Sequence, residues 1–394
     1  MDPSPDAAVI PGLTGNLYSM NIFTIKMKKL FFSLFVLALV ASCGQDTVTV
    51  KGKIAEDATF PENTLVYLIG TDNTVLDSTA VAGGTVTLKA PANPETAYAV
   101  VANFRERSPR DRSWICRLIP EKGSCNLTFA PDMEACKIEG SALNDAFSQF
   151  NEKVGELSDE YRQKASALAD DAEDEAEALY EETMGKMKEV SLDAIKKNPN
   201  NYIALSALMN VIYDLPLDEL KGILGKCGKF VAENESVSSI IAGKEAENAT
   251  DEGKPFVDFA GKTPEGADVK LSDYVGKGKW VLTDFWASWC GPCMAEIPNI
   301  KKVYEDFEGK DFMVLGVAVW ETNGDNTASA KRMEEKGMKW TQIFMGDDHT
   351  PTDRYGILGI PTMILFAPDG TIYKRGEVLR GESMYKTVAE ALGK

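Results

Sequence analysis

Apolar positions along this chain change their spacing three times, and each change marks a different kind of structure. From Thr47 to about Ile138, short β-branched and aromatic runs recur: Val48-Thr49-Val50, Thr64 to Ile69, Thr85 to Leu88, Tyr98 to Val101 and Trp114 to Ile119. Turn signals such as Gly70-Thr71-Asp72-Asn73 and Ala82-Gly83-Gly84 separate them, which predicts a small antiparallel sandwich or barrel. From Ser141 through Glu189, Ala, Glu, Leu and Lys take over, and Leu157, Tyr161, Lys164, Leu168 and Asp171 mark a helical period. Asp170 to Glu177 is acidic enough to predict a solvated helix face. Asn198-Pro199-Asn200 breaks the pattern, and Tyr202 to Tyr213 and Leu217 to Leu224 resume it. Glu245 to Lys254 is polar and reads as a linker. Beyond Pro255 the spacing alternates, with strands expected at Trp280 to Phe285, Phe312 to Val319, Met363 to Phe366 and Thr371 to Lys374. Helices are expected at Cys290 to Phe307, Thr327 to Lys336 and Glu382 to Leu392. That alternation implies a central sheet covered on both faces.

Ahead of the first strand, Met27-Lys28-Lys29 leads into an apolar block from Leu30 to Ala41. It is short for a membrane span, which takes roughly 20 apolar residues. The charged, apolar and small-residue regions instead come in the order of a secretory signal. The expected fold is therefore multidomain, in four segments: 1–42, an N-terminal extension and signal peptide; 43–139, an N-terminal antiparallel β domain; 140–248, a middle α-helical domain; and 249–394, a C-terminal α/β domain.

A formal charge of −18 and the lack of a basic run argue against nucleic-acid binding. The single histidine, His349, leaves little material for a histidine-based metal site or catalytic triad. Cysteine is the remaining nucleophile. Cys290 and Cys293 enclose Gly291-Pro292 where a strand hands over to a helix, so the pair can close into a disulfide and reopen. At the helix N-terminus, unpaired N–H groups and the helix dipole stabilise a thiolate, which makes Cys290 the attacking sulfur. Cys293 lies within the first turn and is the resolving thiol. Zinc would need two further ligands at suitable spacing, so no metal is expected there. Asp284, in the middle of an apolar strand, should have a raised pKa and can take the Cys293 proton. Cys116, Cys125, Cys136 and Cys227 allow three full pairings, and buried thiols serve equally well.

Asp284-Phe285-Trp286-Ala287-Ser288-Trp289-Cys290-Gly291-Pro292-Cys293 resembles the active-site segment of thioredoxin, and Gly359-Ile360-Pro361-Thr362 resembles its second hallmark loop. The resemblance covers about Pro255 to Lys394. It implies a thioredoxin-like fold, a cis Pro361, pairing of the Ile360 backbone with a substrate strand, and substrate contacts at Trp289, Gly291 and Pro292. Pro298 falls where thioredoxins kink their active-site helix. Phe312 to Trp320 lacks the lysine that cytoplasmic thioredoxin places beside its aspartate. Cys293 to Pro298 is similar to the TlpA/ResA-like branch of membrane-tethered reductases, which implies that Glu296 tunes the cysteines. Val40-Ala41-Ser42-Cys43 resembles a bacterial lipobox, which implies lipidation at Cys43 and a chain anchored to the cell envelope facing the periplasm. The front β-rich segment looks like an uncharacterised domain that precedes thioredoxin-like domains in exported lipoproteins.

The expected function is thus a membrane-tethered extracytoplasmic thiol-disulfide oxidoreductase that reduces protein disulfides through the Cys290–Cys293 pair. It needs no cofactor beyond its own thiols, and its partners would be protein disulfides and a membrane electron donor. Two alternatives stand beside it. One is a thiol peroxidase, although peroxiredoxins carry Thr or Ser where Ala287 stands. The other is a binding or scaffold lipoprotein whose front domains carry the main role.

Overall fold

The computed structural model describes residues 46–54, 64–72, 74–102, 115–129, 137–169 and 172–394. The signal segment, Cys43, Trp114, Cys136 and Asp171 lie outside these residues. The chain divides into two compact units, 1–234 and 235–394.

Eight strands lead the first unit: β1 (Thr47–Ile54), β2 (Leu65–Ile69), β3 (Val75–Ala80), β4 (Thr85–Pro91), β5 (Tyr98–Ala102), β6 (Ile115–Leu118), β7 (Gly123–Phe129) and β8 (Lys137–Glu139). They form two four-stranded sheets, ordered β4-β1-β7-β8 and β3-β2-β5-β6. Pairing is antiparallel except between β1 and β7, which run parallel. Period-two alternation sends Val48, Val50, Leu88 and Leu127 from one sheet and Val66, Leu68, Val100 and Leu118 from the other into a shared core. Cys116 and Cys125 are buried in that core, where burial pushes the Cys125 thiol up to about 11. A thiol held there is a packing residue.

Five helices follow: α1 (Ala142–Ala165), α2 (Glu173–Lys197), α3 (Tyr202–Met209), α4 (Leu217–Leu224) and α5 (Lys229–Ala232). Ser141 caps α1, and Asn144 in its first turn is buried. The Asn144 side chain accepts from Ile119 N and donates to Ile119 O, both at 2.8 Å. This amide ties the start of α1 to the end of β6, and the helices and sheets fall within one compact unit.

The second unit begins earlier than the sequence implied. Helix α6 (Glu235–Ala249) runs through the start of the expected linker and belongs with the C-terminal unit rather than the helical segment. It packs on α9 (Thr350–Tyr355) and the turn after it. Two glycines permit the approach: a Cβ on Gly243 would sit 2.5 Å from Leu358, and one on Gly356 would sit 2.1 Å from the Gly243 carbonyl. Arg375 then locks the helix end, donating to Thr250 O at 2.8 Å and Tyr355 O at 2.9 Å. Of the polar residues that suggest a linker, Glu245, Glu247 and Asn248 are exposed on this helix, whereas Thr250 just past its end is buried.

The remaining elements are β9 (Ala260–Lys262), β10 (Asp268–Lys270), β11 (Trp280–Trp286), α7 (Gly291–Phe307), β12 (Phe312–Ala318), α8 (Thr327–Lys336), β13 (Thr341–Phe344), β14 (Thr362–Phe366), β15 (Ile372–Arg375) and α10 (Gly381–Ala391). Their sheet is ordered β10-β9-β13-β12-β11-β14-β15, with β11, β12 and β13 parallel and β14 antiparallel to β11. Each face carries its own core. Leu282 and Trp286 of β11 meet Ile297, Ile300 and Val303 of α7 and Met384 and Val388 of α10. Val281 and Phe285 point the other way, into a cluster with Leu315, Val317, Tyr355 and Phe366. Among the described residues no helix is long and apolar enough to cross a membrane.

Candidate active site

Strand β11 is central, so its C-terminal end delivers the chain to the middle of the sheet edge, where a βα loop begins α7. Cys290 is the N-cap of α7 and its sulfur accepts from Cys293 N at 3.1 Å. Gly291 and Pro292 open the helix; proline is tolerated there because a first-turn N–H has no intrahelical partner. Pro298 lies inside α7. The cysteines are joined as a disulfide, with Cys290 4% and Cys293 1% exposed. Trp289 beside them is 57% exposed. Facing the pair is the loop before β14: the Ile360–Pro361 bond is cis, and the Ile360 carbonyl lies 3.8 Å from the Cys290 sulfur. Leu358 and Gly359, which enter this loop, are exposed.

Asp284 lies on the same face of β11 as Leu282 and Trp286, toward α7, and is 2% exposed. Its Oδ1 has no hydrogen-bond partner among the described residues. Burial pushes its carboxyl up to about 7; the Glu296 carboxylate pushes the same way, and Arg380 opposes them. Glu296 is half-buried on α7, and its Oε2 accepts from Asn299 Nδ2 and Gly381 N, both at 3.1 Å. The fold therefore brings Cys290, Cys293, Asp284, Glu296, Trp289, Gly291, Pro292, Ile360 and Pro361 to one end of one sheet. His349 is exposed and stands apart, at the start of α9.

Sequence reasoning missed Glu321. This carboxylate is 5% exposed and holds the active-site loop from behind. It accepts from Ser288 N at 2.6 Å, Ser288 Oγ at 2.8 Å and Ser329 Oγ at 2.6 Å. Its neighbour Trp320 has φ 55, in the left-handed region a bulky residue seldom adopts. The Trp320 carbonyl accepts from Trp289 Nε1 at 2.9 Å, which fixes the exposed indole above the cysteines. The available signal was a carboxylate shortly after an apolar strand, weaker than the mid-strand position that marks Asp284. Arg380 was missed because it comes from the turn before α10, outside both hallmark segments.

Residues 253–375 match the AhpC/TSA family, and residues 48–147 match a domain of unknown function, DUF4369. The thiol-disulfide oxidoreductase ResA of Bacillus subtilis is 29% identical over 137 residues, spanning 35% of this chain and 72% of that protein. ResA of Geobacillus thermodenitrificans is 30% identical over 122 residues, spanning 31% of this chain and 67% of the relative. Among solved structures, the thioredoxin domain of a thiol-disulfide oxidoreductase from Bacteroides vulgatus is 32% identical, with 36% of this chain and 96% of that one covered and a TM-score of 0.33.

Proposed function

Because the chain belongs, through its C-terminal unit, to the ResA-like thiol-disulfide oxidoreductases of thioredoxin fold, we propose that it is an extracytoplasmic reductase of protein disulfides acting through Cys290 and Cys293. The observation that carries this reading is the position of the pair: at the N-terminus of α7, with the Ile360 carbonyl in front and a buried carboxyl on the strand behind.

The reduced pair begins with the Cys290 thiolate, favoured by the Cys293 N–H and the helix terminus. It attacks one sulfur of a substrate disulfide; the other leaves as thiolate, and a mixed disulfide on Cys290 remains. Cys293 gives its proton to Asp284 and attacks the Cys290 sulfur. The mixed disulfide breaks, the second substrate sulfur leaves, and the Cys290–Cys293 disulfide forms. Two electrons have then passed to the substrate, and a membrane thiol reductant must restore the pair. Trp289, Gly291 and Pro292 flank the sulfurs and contact the substrate, while the Ile360 backbone before Pro361 pairs with its chain. Glu296 tunes the step through its charge beside Asp284.

In a redox titration of the full chain, the pair is expected to equilibrate nearer the roughly −270 mV of thioredoxin than the roughly −120 mV of DsbA. A potential near the latter contradicts the reductive direction. The lipobox-like stretch ending at Cys43 supports lipid anchoring in the cell envelope, facing the periplasm. Cys43→Ala is expected to move the protein from the membrane fraction to the soluble one, and unchanged partitioning would contradict anchoring.

The AhpC/TSA match favours a second reading, thiol peroxidase. Ala287 supplies no hydroxyl at the position from which peroxiredoxins use one. Rapid peroxide turnover by the wild type, lost in Cys290→Ser, would establish it.

A further inference from the structure

The proton-transfer reading leaves Arg380, a cation acting on Asp284, unassigned. Strand β12, parallel to β11 and beside Asp284, is Phe-Met-Val-Leu-Gly-Val-Ala, and β14 on the other side is Thr-Met-Ile-Leu-Phe. Neither carries a charge. The charged groups acting on Asp284 are Glu296 from α7 and Arg380 from the turn before α10, joined after reduction by the titratable thiols of Cys290 and Cys293 at the start of α7.

Arg380 is built into this place. Leu379 before it is fully buried in the cluster that contains both cysteines, which sets where the arginine side chain starts. One guanidinium Nη donates to the Pro361 carbonyl, in the loop that faces Cys290. The other pairs with Glu377 at 2.8 Å, and Nε is buried without a hydrogen-bond partner among the described residues. The Gly381 N–H next along the chain holds Glu296 Oε2 at 3.1 Å. Residues 379–381 thus touch the cysteine cluster, the substrate loop and the carboxylate that presses on Asp284.

We propose that Arg380 is a positioning residue of the redox site, pinning the Pro361 carbonyl while placing a positive charge near the Asp284 carboxyl. The inference rests on the reading of Asp284 as proton acceptor for Cys293. One side chain then sets both the loop on which a substrate strand docks and the proton affinity of the acceptor. The two duties use different properties of arginine. The charge acts on Asp284 and survives in lysine, whereas the planar fork that reaches Pro361 and Glu377 together does not.

The test compares full-length wild type, Arg380→Met and Arg380→Lys, with insulin as the disulfide probe. Rates are followed across pH, and the Asp284 carboxyl titration is read by NMR, assigned with Asp284→Asn. In Arg380→Met the carboxyl midpoint is expected to rise by about one pH unit, and the pH–rate profile with it, because a cation favouring the ionised form is gone. KM for insulin is expected to rise about threefold through loss of the carbonyl contact. Arg380→Lys is expected to restore the midpoint but not KM. An unmoved midpoint in Arg380→Met overturns the proposal, as does an equal rate loss at every pH that lysine fails to rescue. If Asp284→Asn leaves the wild-type pH–rate profile unchanged, the proton-acceptor reading fails instead, and the direct carboxyl titration keeps that failure separate from one at Arg380.

Discussion

Replacing Cys290 with serine is expected to cut disulfide exchange by on the order of a thousandfold or more, because no other group in the site can serve as the attacking sulfur. Cys293 is more deeply buried, at 1% exposure, and sits within the helix rather than at its cap. Among the described residues, the remaining cysteines lie in the first unit, on β6 and β7 and after α4. Insulin reduction with a chemical thiol as electron source measures the effect. Substantial residual turnover in Cys290→Ser would place the chemistry on another residue.

The second large effect is on stability, and its sign depends on pH. Asp284 titrates at about 7 in the folded chain against 3.8 for an ordinary aspartate. Below pH 3.8 the carboxyl is protonated whether the chain is folded or unfolded, so its burial as an acid carries no ionisation penalty. Between pH 3.8 and about 7 the unfolded chain releases the proton and the folded chain keeps it, so stability falls as pH rises. Above about pH 7 the full penalty is present, with an upper bound of roughly 4 kcal/mol from the width of that interval. Asp284→Asn is therefore expected to stabilise the second unit by a few kcal/mol at pH 8 and by little at pH 4. It should also slow resolution of the mixed disulfide. Five of the six tryptophans lie in the second unit, so fluorescence-detected urea unfolding at the two pH values reports on it. An equal change at both pH values would mean that the carboxyl does not titrate as its burial requires. A gain in stability joined to a loss of rate is the trade-off expected when a carboxyl is buried for catalysis.

Much of this site could be read from the residues, because its parts are local. A strand, a sharp handover and a helix lie within Trp280 to Phe307, so period-two and helical spacing place Asp284, Cys290 and Cys293 without tertiary information. Elements whose signal is short or mixed escaped. Strand β13, Thr-Gln-Ile-Phe, buries Gln342 because its amide accepts from Trp286 Nε1 at 3.0 Å, a pairing that no local pattern announces. Strands β9 and β10 have three residues each, too few for a period to show. Strand β7 was legible and was missed: Cys125, Leu127 and Phe129 alternate inward with Ser124, Asn126 and Thr128 outward. Helix α6 was assigned to the wrong unit because its attachment depends on glycines and on Arg375, more than a hundred residues away. Arg380 and Glu321 also lie outside the hallmark segments and reach the site only through the fold.

The most direct measurement of the central claim is mass spectrometry of the Cys293→Ser chain after reaction with a disulfide-bonded peptide. With the resolving thiol gone, the account predicts a stable mixed disulfide on Cys290, absent when Cys290 is also replaced and discharged by added thiol. No adduct, or an adduct carried by Cys116, Cys125 or Cys227 instead, would contradict it.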